Sequence, residues 1–181
     1  HLSQGGSVGG ICGGYQMLGQ TVSDPYGVES GGAEVGLGLL PVTTVLEPRK
    51  TTRRVRARLL PGPWGEGSDE WDAYEIHMGR TQGGEGLVRL FSVRGGEDQP
   101  TDETGGLIAS NGRAWGTYLH GCLDSPLVRQ RLLTWLRAQS VPPAPASSLD
   151  YRDLREAAYD DLARALRDSL NLPAIRALIR L

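Results

Sequence analysis

Residues 7–18 read Ser-Val-Gly-Gly-Ile-Cys-Gly-Gly-Tyr-Gln-Met-Leu, and the order of residue types in this stretch decides the fold. A short, weakly apolar run, residues 7–11, stops at Cys12-Gly13-Gly14. A helical pattern follows with Tyr15, Met17 and Leu18. Strand, tight glycine turn and helix is the natural reading. A reactive side chain on such a turn needs small neighbours, because the turn is strained and a nearby Cβ would clash or cover the sulfur. The helix start also aims backbone N–H dipoles at the sulfur, which favours thiolate. A thiolate so placed attacks a carbonyl carbon while the N–H of Gly13 helps hold the developing oxyanion. The competing reading is a buried thiol in a glycine-rich turn, the ordinary state of a free cysteine. A dinucleotide loop does not fit, because Cys12 interrupts the Gly-x-Gly-x-x-Gly spacing. A Walker loop does not fit either: the only lysine, Lys50, follows Arg49.

The rest of the chain is rich in turn formers. It has 26 Gly and 11 Pro among 181 residues, about a fifth, against a usual share near ~12%. Hydrophobic residues are 39% and charged residues 22%. That balance marks a folded, loop-rich protein and excludes a disordered chain or one long helical bundle. The length suits one domain with a small appendage. Charge is nearly balanced at −2, and the arginines are scattered, so there is no basic footprint for nucleic acid. No apolar run approaches the ~20 residues that span a bilayer, and no signal peptide opens the chain. Cytoplasm is the default expectation. The two cysteines, Cys12 and Cys122, make neither a disulfide framework nor a metal cluster. The chain opens on His1 rather than Met, which points to a piece of a longer protein.

From residue 42 to 119 the pattern is β-like. Strands are predicted over 42–46, 53–59, 74–78, 87–93, 107–109 and 114–119, the last two joined at Asn111-Gly112, a hairpin signal. Residues 20–41 carry glycines and turn signals. Ser125-Pro126 reads as an N-cap with Pro at the first helical position, followed by apolar residues at helical spacing to Gln139. A Pro/Ala/Ser linker is predicted over 141–148, with Ser147 and Asp150 as a capping box. Leu154, Ala158, Leu162, Leu166 and Leu170 mark an amphipathic helix, and Pro173 starts a last short one. The predicted organisation is therefore a main domain over 1–140, the linker, and a helical appendage over 149–181.

A cysteine nucleophile needs a base, and the candidates are His1, His77 and His120. His120 ends a β-like run between Gly116 and Gly121, and strand ends are where α/β proteins gather their sites. Spacing alone does not show that His120 meets Cys12.

Five motifs then come in order: Gly-Ile-Cys-Gly-Gly-Tyr-Gln-Met-Leu-Gly at 10–19, Asp-Pro-Tyr-Gly-Val-Glu at 24–29, Gly-Leu-Gly-Leu-Leu-Pro at 36–41, Tyr-Glu-Ile-His-Met-Gly-Arg-Thr at 74–81, and Gly-Thr-Tyr-Leu-His-Gly at 116–121. The series resembles the glutaminase domain of the cobyric acid synthase family, within the class I glutamine amidotransferases. The resemblance covers nearly the whole chain. It implies an α/β, flavodoxin-like domain with a β-rich middle and C-terminal helices, lacking the first strands of the family fold.

The resemblance also implies roles. Cys12 looks like the nucleophile that forms the γ-glutamyl thioester, and His120 like the base that assists attack and protonates the leaving ammonia. Gly13 would give one oxyanion N–H. Gln16 matches a position lining the glutamine pocket. Glu75 and His77 fall where relatives place a loop against bound glutamine, with a hairpin held by hydrogen bonds as the even alternative. Many class I enzymes carry an acid two residues after the histidine. Here that residue is Cys122, as in the cobyric acid synthase group, so a Cys–His dyad is expected, with Asp124 or Glu75 to orient His120. No metal or cofactor is expected in this chain. The family's ATP and Mg²⁺ belong to a synthetase domain that precedes the glutaminase domain, where the ammonia would amidate a corrinoid substrate. A glutaminase serving another ligase, such as one that amidates lipid II, and a truncated domain with a structural role are the alternatives.

Overall fold

The computed structural model describes residues 1–95, 105–139 and 151–179. The chain forms two compact units, His1–Ala144 and Pro145–Leu181. In the first, β1 (Val8–Ile11) runs through Cys12 into α1 (Gly13–Leu18). Strands β2 (Thr21–Asp24), β3 (Gly32–Val35), β4 (Val42–Leu59) and β5 (Glu70–Gly83) follow. Then come β6 (Leu87–Arg89), β7 (Phe91–Gly95), β8 (Leu107–Ala109), β9 (Ala114–Thr117) and β10 (Leu119–His120), before helix α2 (Pro126–Ala138).

The strands build two sheets. The first has the order β1-β9-β8-β6; the second has β10-β5-β4-β2-β3, with β7 paired to β4. The β1–β9 and β2–β4 pairs are parallel and the others antiparallel. The register of β1 on β9 sets Gly10 opposite Gly116 and Ile11 opposite Thr117. A Cβ on Gly116 would enter the Tyr15 ring, so the missing side chain is what lets α1 seat its first large residue. Tyr15, Leu18, Leu40, Val42, Leu107 and Tyr118 belong to one apolar cluster. A larger cluster gathers Val55, Leu59, Phe91, Ile108, Trp115 and Leu119 with Val128 of α2.

Several predicted elements needed correction. The runs 42–46 and 53–59 are two halves of one strand, β4, whose register with β5 breaks between Leu46 and Thr51. Pro48 sits in that break and has no N–H to give a ladder. The run 87–93 divides between sheets, because β6 pairs β8 whereas β7 pairs β4. The run 114–119 divides at Tyr118. The glycine-rich segment 20–41 holds the antiparallel pair β2–β3. The loop between them is tied to Asp24, whose carboxylate accepts the N–H groups of Val28, Glu29 and Gly31 at 2.8–2.9 Å. The hairpin signal at Asn111-Gly112 does join β8 to β9, with Gly112 at φ +75° and Arg113 N–H donating to Asn111 Oδ1 at 3.0 Å. Ser125 caps α2 by accepting from Val128 N–H at 3.4 Å, with Pro126 opening the helix.

The second unit contains α3 (Tyr151–Ser169) and α4 (Leu172–Ile179). Leu154, Leu162, Leu166 and Leu170 of the predicted apolar face are 45–57% exposed. Asn171 Oδ1 accepts from Ala174 N–H at 3.1 Å and so caps α4. The predicted linker 141–148 and the Ser147–Asp150 box lie outside the described residues. Among the described residues no helix is long and apolar enough to cross a membrane.

Candidate active site

Cys12 has φ +56° and ψ −118° and is the one non-glycine residue at positive φ among the described residues. Such a conformation costs on the order of 1–3 kcal/mol and persists only where its surroundings over-determine it. Here they do. Cys12 N–H donates to Thr117 O at 2.9 Å, and Cys12 O accepts from Tyr15 N–H at 3.0 Å and Gln16 N–H at 3.3 Å. The strand end and the helix start are thus both tied to the cysteine backbone. Its sulfur lies 3.4 Å from Ile76 O on β5.

The glycines around it have different reasons. A Cβ on Gly10 would lie 2.5 Å from Gly14 O and 2.6 Å from Tyr15 N, inside the backbone of α1. A Cβ on Gly13 or Gly14 would meet nothing within 4 Å. The clash expected on both sides of the turn therefore holds only before the cysteine. After it the glycines leave open space beside the sulfur, and their N–H groups head the helix with no acceptor inside it.

His120 reaches the same place by a crossover. The chain leaves the first sheet after Thr117 and enters the second at Leu119. Thr117 Oγ1 stitches the step, donating to Gly105 O at 2.5 Å and accepting from Leu119 N–H at 3.0 Å. In β10, His120 then pairs Tyr74 of β5. The cysteine sulfur touches the carbonyl of Ile76 on that strand, two residues on, or roughly 7 Å of strand rise. His120 Nε2 is buried and has no hydrogen-bond partner among the described residues. A buried orphan nitrogen is rare enough to need a reason, and a reacting group that awaits its proton partner is one. The structure therefore sets Cys12 and His120 against the same strand, β5, a relation that sequence spacing left open. Cys122, the other thiol, is fully buried in the larger core cluster, and burial pushes it up to about 11. It is a packing residue.

Gln16, Glu75 and His77 lie on the neighbouring wall. Gln16 Nε2 donates to Tyr118 Oη at 3.3 Å. Tyr118 Oη shares a hydrogen with Thr81 Oγ1 at 2.6 Å, and Thr81 with Thr44 at 2.7 Å. The His77 ring stacks on Tyr118, with centroids 4.1 Å apart and planes 17° apart. His77 Nδ1 meets Gly79 O at 2.6 Å and Nε2 meets Glu75 Oε1 at 2.9 Å. Glu75 Oε2 accepts from Arg53 Nε at 2.7 Å. Both carboxylate oxygens of Glu75 are thus engaged away from His120, which corrects the expectation that Glu75 orients the histidine. Burial alone would raise Glu75; the hydrogen bonds and charges of His77 and Arg53 outweigh it and hold the carboxyl below its usual range. Tyr118 is raised, chiefly by burial, with the nearby Cys12 adding to it.

Glu75, His77, Gly79 and Tyr118 line a cavity of about 350 Å³, together with Glu47, Arg49 and Thr51 among others. The cavity opens where the β4–β5 ladder breaks, between the Leu46–Gly79 and Thr51–His77 pairs. Arg53, Thr44 and Thr81 were missed by sequence reasoning. Thr81 closes the quoted motif 74–81, but nothing in the sequence placed β4 against it. Among the described residues no group of three or more His, Cys, Asp and Glu side chains is arranged to hold a metal ion.

The profile of the CobB/CobQ-like glutamine amidotransferase domain matches residues 1–128. The cobyric acid synthase of Syntrophobacter fumaroxidans is 41% identical over 183 residues, a match covering 98% of this chain and 35% of that protein. The cobyric acid synthase of Streptococcus sanguinis is 39% identical over 180 residues, again covering 98% of this chain and 35% of that protein. The chain thus spans about a third of the length of these curated relatives. Among solved structures, PurLQS from Thermotoga maritima superposes with a TM-score of 0.50 at 16% identity, over 75% of this chain and 64% of that one. That likeness concerns the fold.

Proposed function

The chain belongs to the CobB/CobQ-like glutamine amidotransferase domains, and from that premise we propose that it is the glutaminase part of a cobyric acid synthase. The observation that carries the reading is the strained Cys12 at the strand-to-helix turn, with the unpartnered His120 nitrogen on the strand beside it. In this reading the Cys12 thiolate attacks the γ-carboxamide carbon of glutamine. The carbonyl oxygen takes up the negative charge and is held by the N–H of Gly13. His120 hands a proton to the departing nitrogen, ammonia leaves, and a γ-glutamyl thioester remains. Water, deprotonated by His120, then cleaves the thioester to glutamate and restores the thiol. Gln16, whose amide donates to Tyr118 Oη, would line the glutamine pocket.

The ammonia would amidate peripheral carboxylates of adenosylcobyrinic acid a,c-diamide to give cobyric acid. That half of the reaction, with its ATP and Mg²⁺, belongs to the part of the relatives' length that lies outside this match. Two free thiols fit a cytoplasmic setting.

The test is Cys12→Ser in the full-length protein. Glutamine-dependent amidation is expected to disappear while amidation with added ammonia continues. A glutamine-mimicking electrophile such as a diazo-ketone analogue is expected to label Cys12. Survival of glutamine-dependent activity in the variant, or labelling at Cys122, would overturn the assignment.

A further inference from the structure

Neither ring nitrogen of His77 is available to a ligand. Nδ1 meets the Gly79 carbonyl and Nε2 the Glu75 carboxylate, so both are occupied. Glu75 is 5% exposed and its second oxygen takes the Arg53 guanidinium. A charge so buried is kept only when paired and hydrogen-bonded, so the three side chains stand or fall together. The row crosses from β4 to β5 immediately beside the place where the ladder between those strands opens. Gly79 closes the ladder on the far side of that opening, and its carbonyl is the group that His77 holds. On its flat face the same ring carries Tyr118, whose hydroxyl receives the Gln16 amide.

We propose that Arg53, acting through Glu75 and His77, is a positioning residue for glutamine recognition: the row fixes the His77–Gly79 backbone and the Tyr118 ring, which together with Glu75 and His77 line the cavity at the β4–β5 break. Arg53 is the distal member, reaching the wall through Glu75. This rests on the glutaminase reading. The relay shapes the wall that meets the substrate; the backbone of the Cys12 turn is tied to Thr117 and to α1, and the relay approaches it through Ile76 O, between Glu75 and His77, which the sulfur meets. Arg53 lies one residue further from Cys12 than Glu75 and His77, so its loss acts chiefly on affinity and less on the chemical step.

The experiment measures glutamate release and Cys12 alkylation by iodoacetamide in the full-length protein, for wild type, Arg53→Met, Arg53→Lys and Glu75→Gln. Arg53→Met is expected to raise KM for glutamine at least tenfold with kcat within about threefold. Arg53→Lys, which keeps the charge, is expected to recover most of that loss. The iodoacetamide rate, which needs the thiolate but not the glutamine wall, is expected to stay within twofold in all three. If Arg53→Met fails to fold, Glu75→Gln decides: a KM increase of severalfold at unchanged kcat supports the relay, and an unchanged KM refutes it. A fall in kcat at constant KM, or an Arg53→Met protein with wild-type KM, overturns the inference while wild-type glutamate release keeps the glutaminase reading intact. A wild-type protein that alkylates at Cys12 but releases no glutamate overturns the glutaminase reading, and the inference with it.

Discussion

Replacing Gly10 by alanine tests the geometry of the nucleophile turn most directly. The added Cβ would sit 2.5 Å from Gly14 O, 2.6 Å from Gly14 C and 2.6 Å from Tyr15 N. All three are backbone atoms, so no side-chain rotation relieves the contact. The first turn of α1 must shift, and with it the carbonyl of Cys12 that accepts from Tyr15 and Gln16. Overpacking of this kind costs about 1–3 kcal/mol. Removing a glycine from the unfolded chain returns about 0.4–1 kcal/mol, leaving a net loss of roughly 1–2 kcal/mol. For a domain of this size that lowers Tm by roughly 2–8 °C. Gly14→Ala is the control. Its Cβ meets nothing within 4 Å, and alanine is favoured over glycine in a helix by up to about 1 kcal/mol. Calorimetry of both variants, with the second-order rate of iodoacetamide labelling at Cys12 read by mass spectrometry, separates the two cases. Gly10→Ala is expected to lower Tm and slow labelling about tenfold, the equivalent of roughly 1.4 kcal/mol in the barrier. Gly14→Ala is expected to leave Tm unchanged or raised. Equal effects from the two variants, or a Gly10→Ala protein that melts and labels like wild type, would refute the steric reasoning.

Other outcomes follow from the same geometry. His120→Ala is expected to slow thioester formation by at least about 10², the scale of a lost general base; rapid-quench trapping of the acyl-enzyme measures it, and an unchanged rate removes His120 from the mechanism. Cys122 is buried and its thiol is raised to about 11, so at neutral pH a limiting dose of a thiol reagent is expected to modify Cys12 alone in the folded protein; comparable labelling at both would contradict the burial. Asp24 is held below its usual range first by the Glu29 N–H and further by those of Val28 and Gly31, and Glu75 is also lowered. A carboxyl depressed by folding contributes stability that is complete above its unfolded value, about 4, and is lost as pH falls through the lower folded value. Asp24→Asn is therefore expected to flatten the acid side of the Tm–pH curve and to speed amide exchange at Val28, Glu29 and Gly31. An unaltered acid slope would show that the carboxylate does not hold that loop.

Much of the site was legible because it is local. Cys12, its glycines and the following helix lie within one turn of chain, and the Ser125-Pro126 cap and the Asn111-Gly112 turn are equally short-range signals. The strand errors have a common cause. Whether 42–46 and 53–59 are one strand or two depends on a partner, β5, that supplies a continuous ladder on both sides of the break. Whether 87–93 stays in one sheet depends on two partners that compete for its halves, β8 and β4. Periodicity records which face is apolar but not which strand lies alongside.

The sequence by itself determined that a cysteine sits on a glycine-framed strand-to-helix turn and that a histidine ends a late strand, because side-chain size and turn chemistry act between neighbours. Only the tertiary structure decided that the two share β5, that Glu75 serves His77 and Arg53 instead of His120, and that a cavity opens at a break in the β4–β5 ladder. Apart from the Glu75–His77 pair, the contacts behind those relations join residues as far apart as Arg53 and Glu75, 22 positions, and Cys12 and Ile76, 64 positions. Their geometry is set by strand register and by the passage of one chain segment between two sheets at Tyr118.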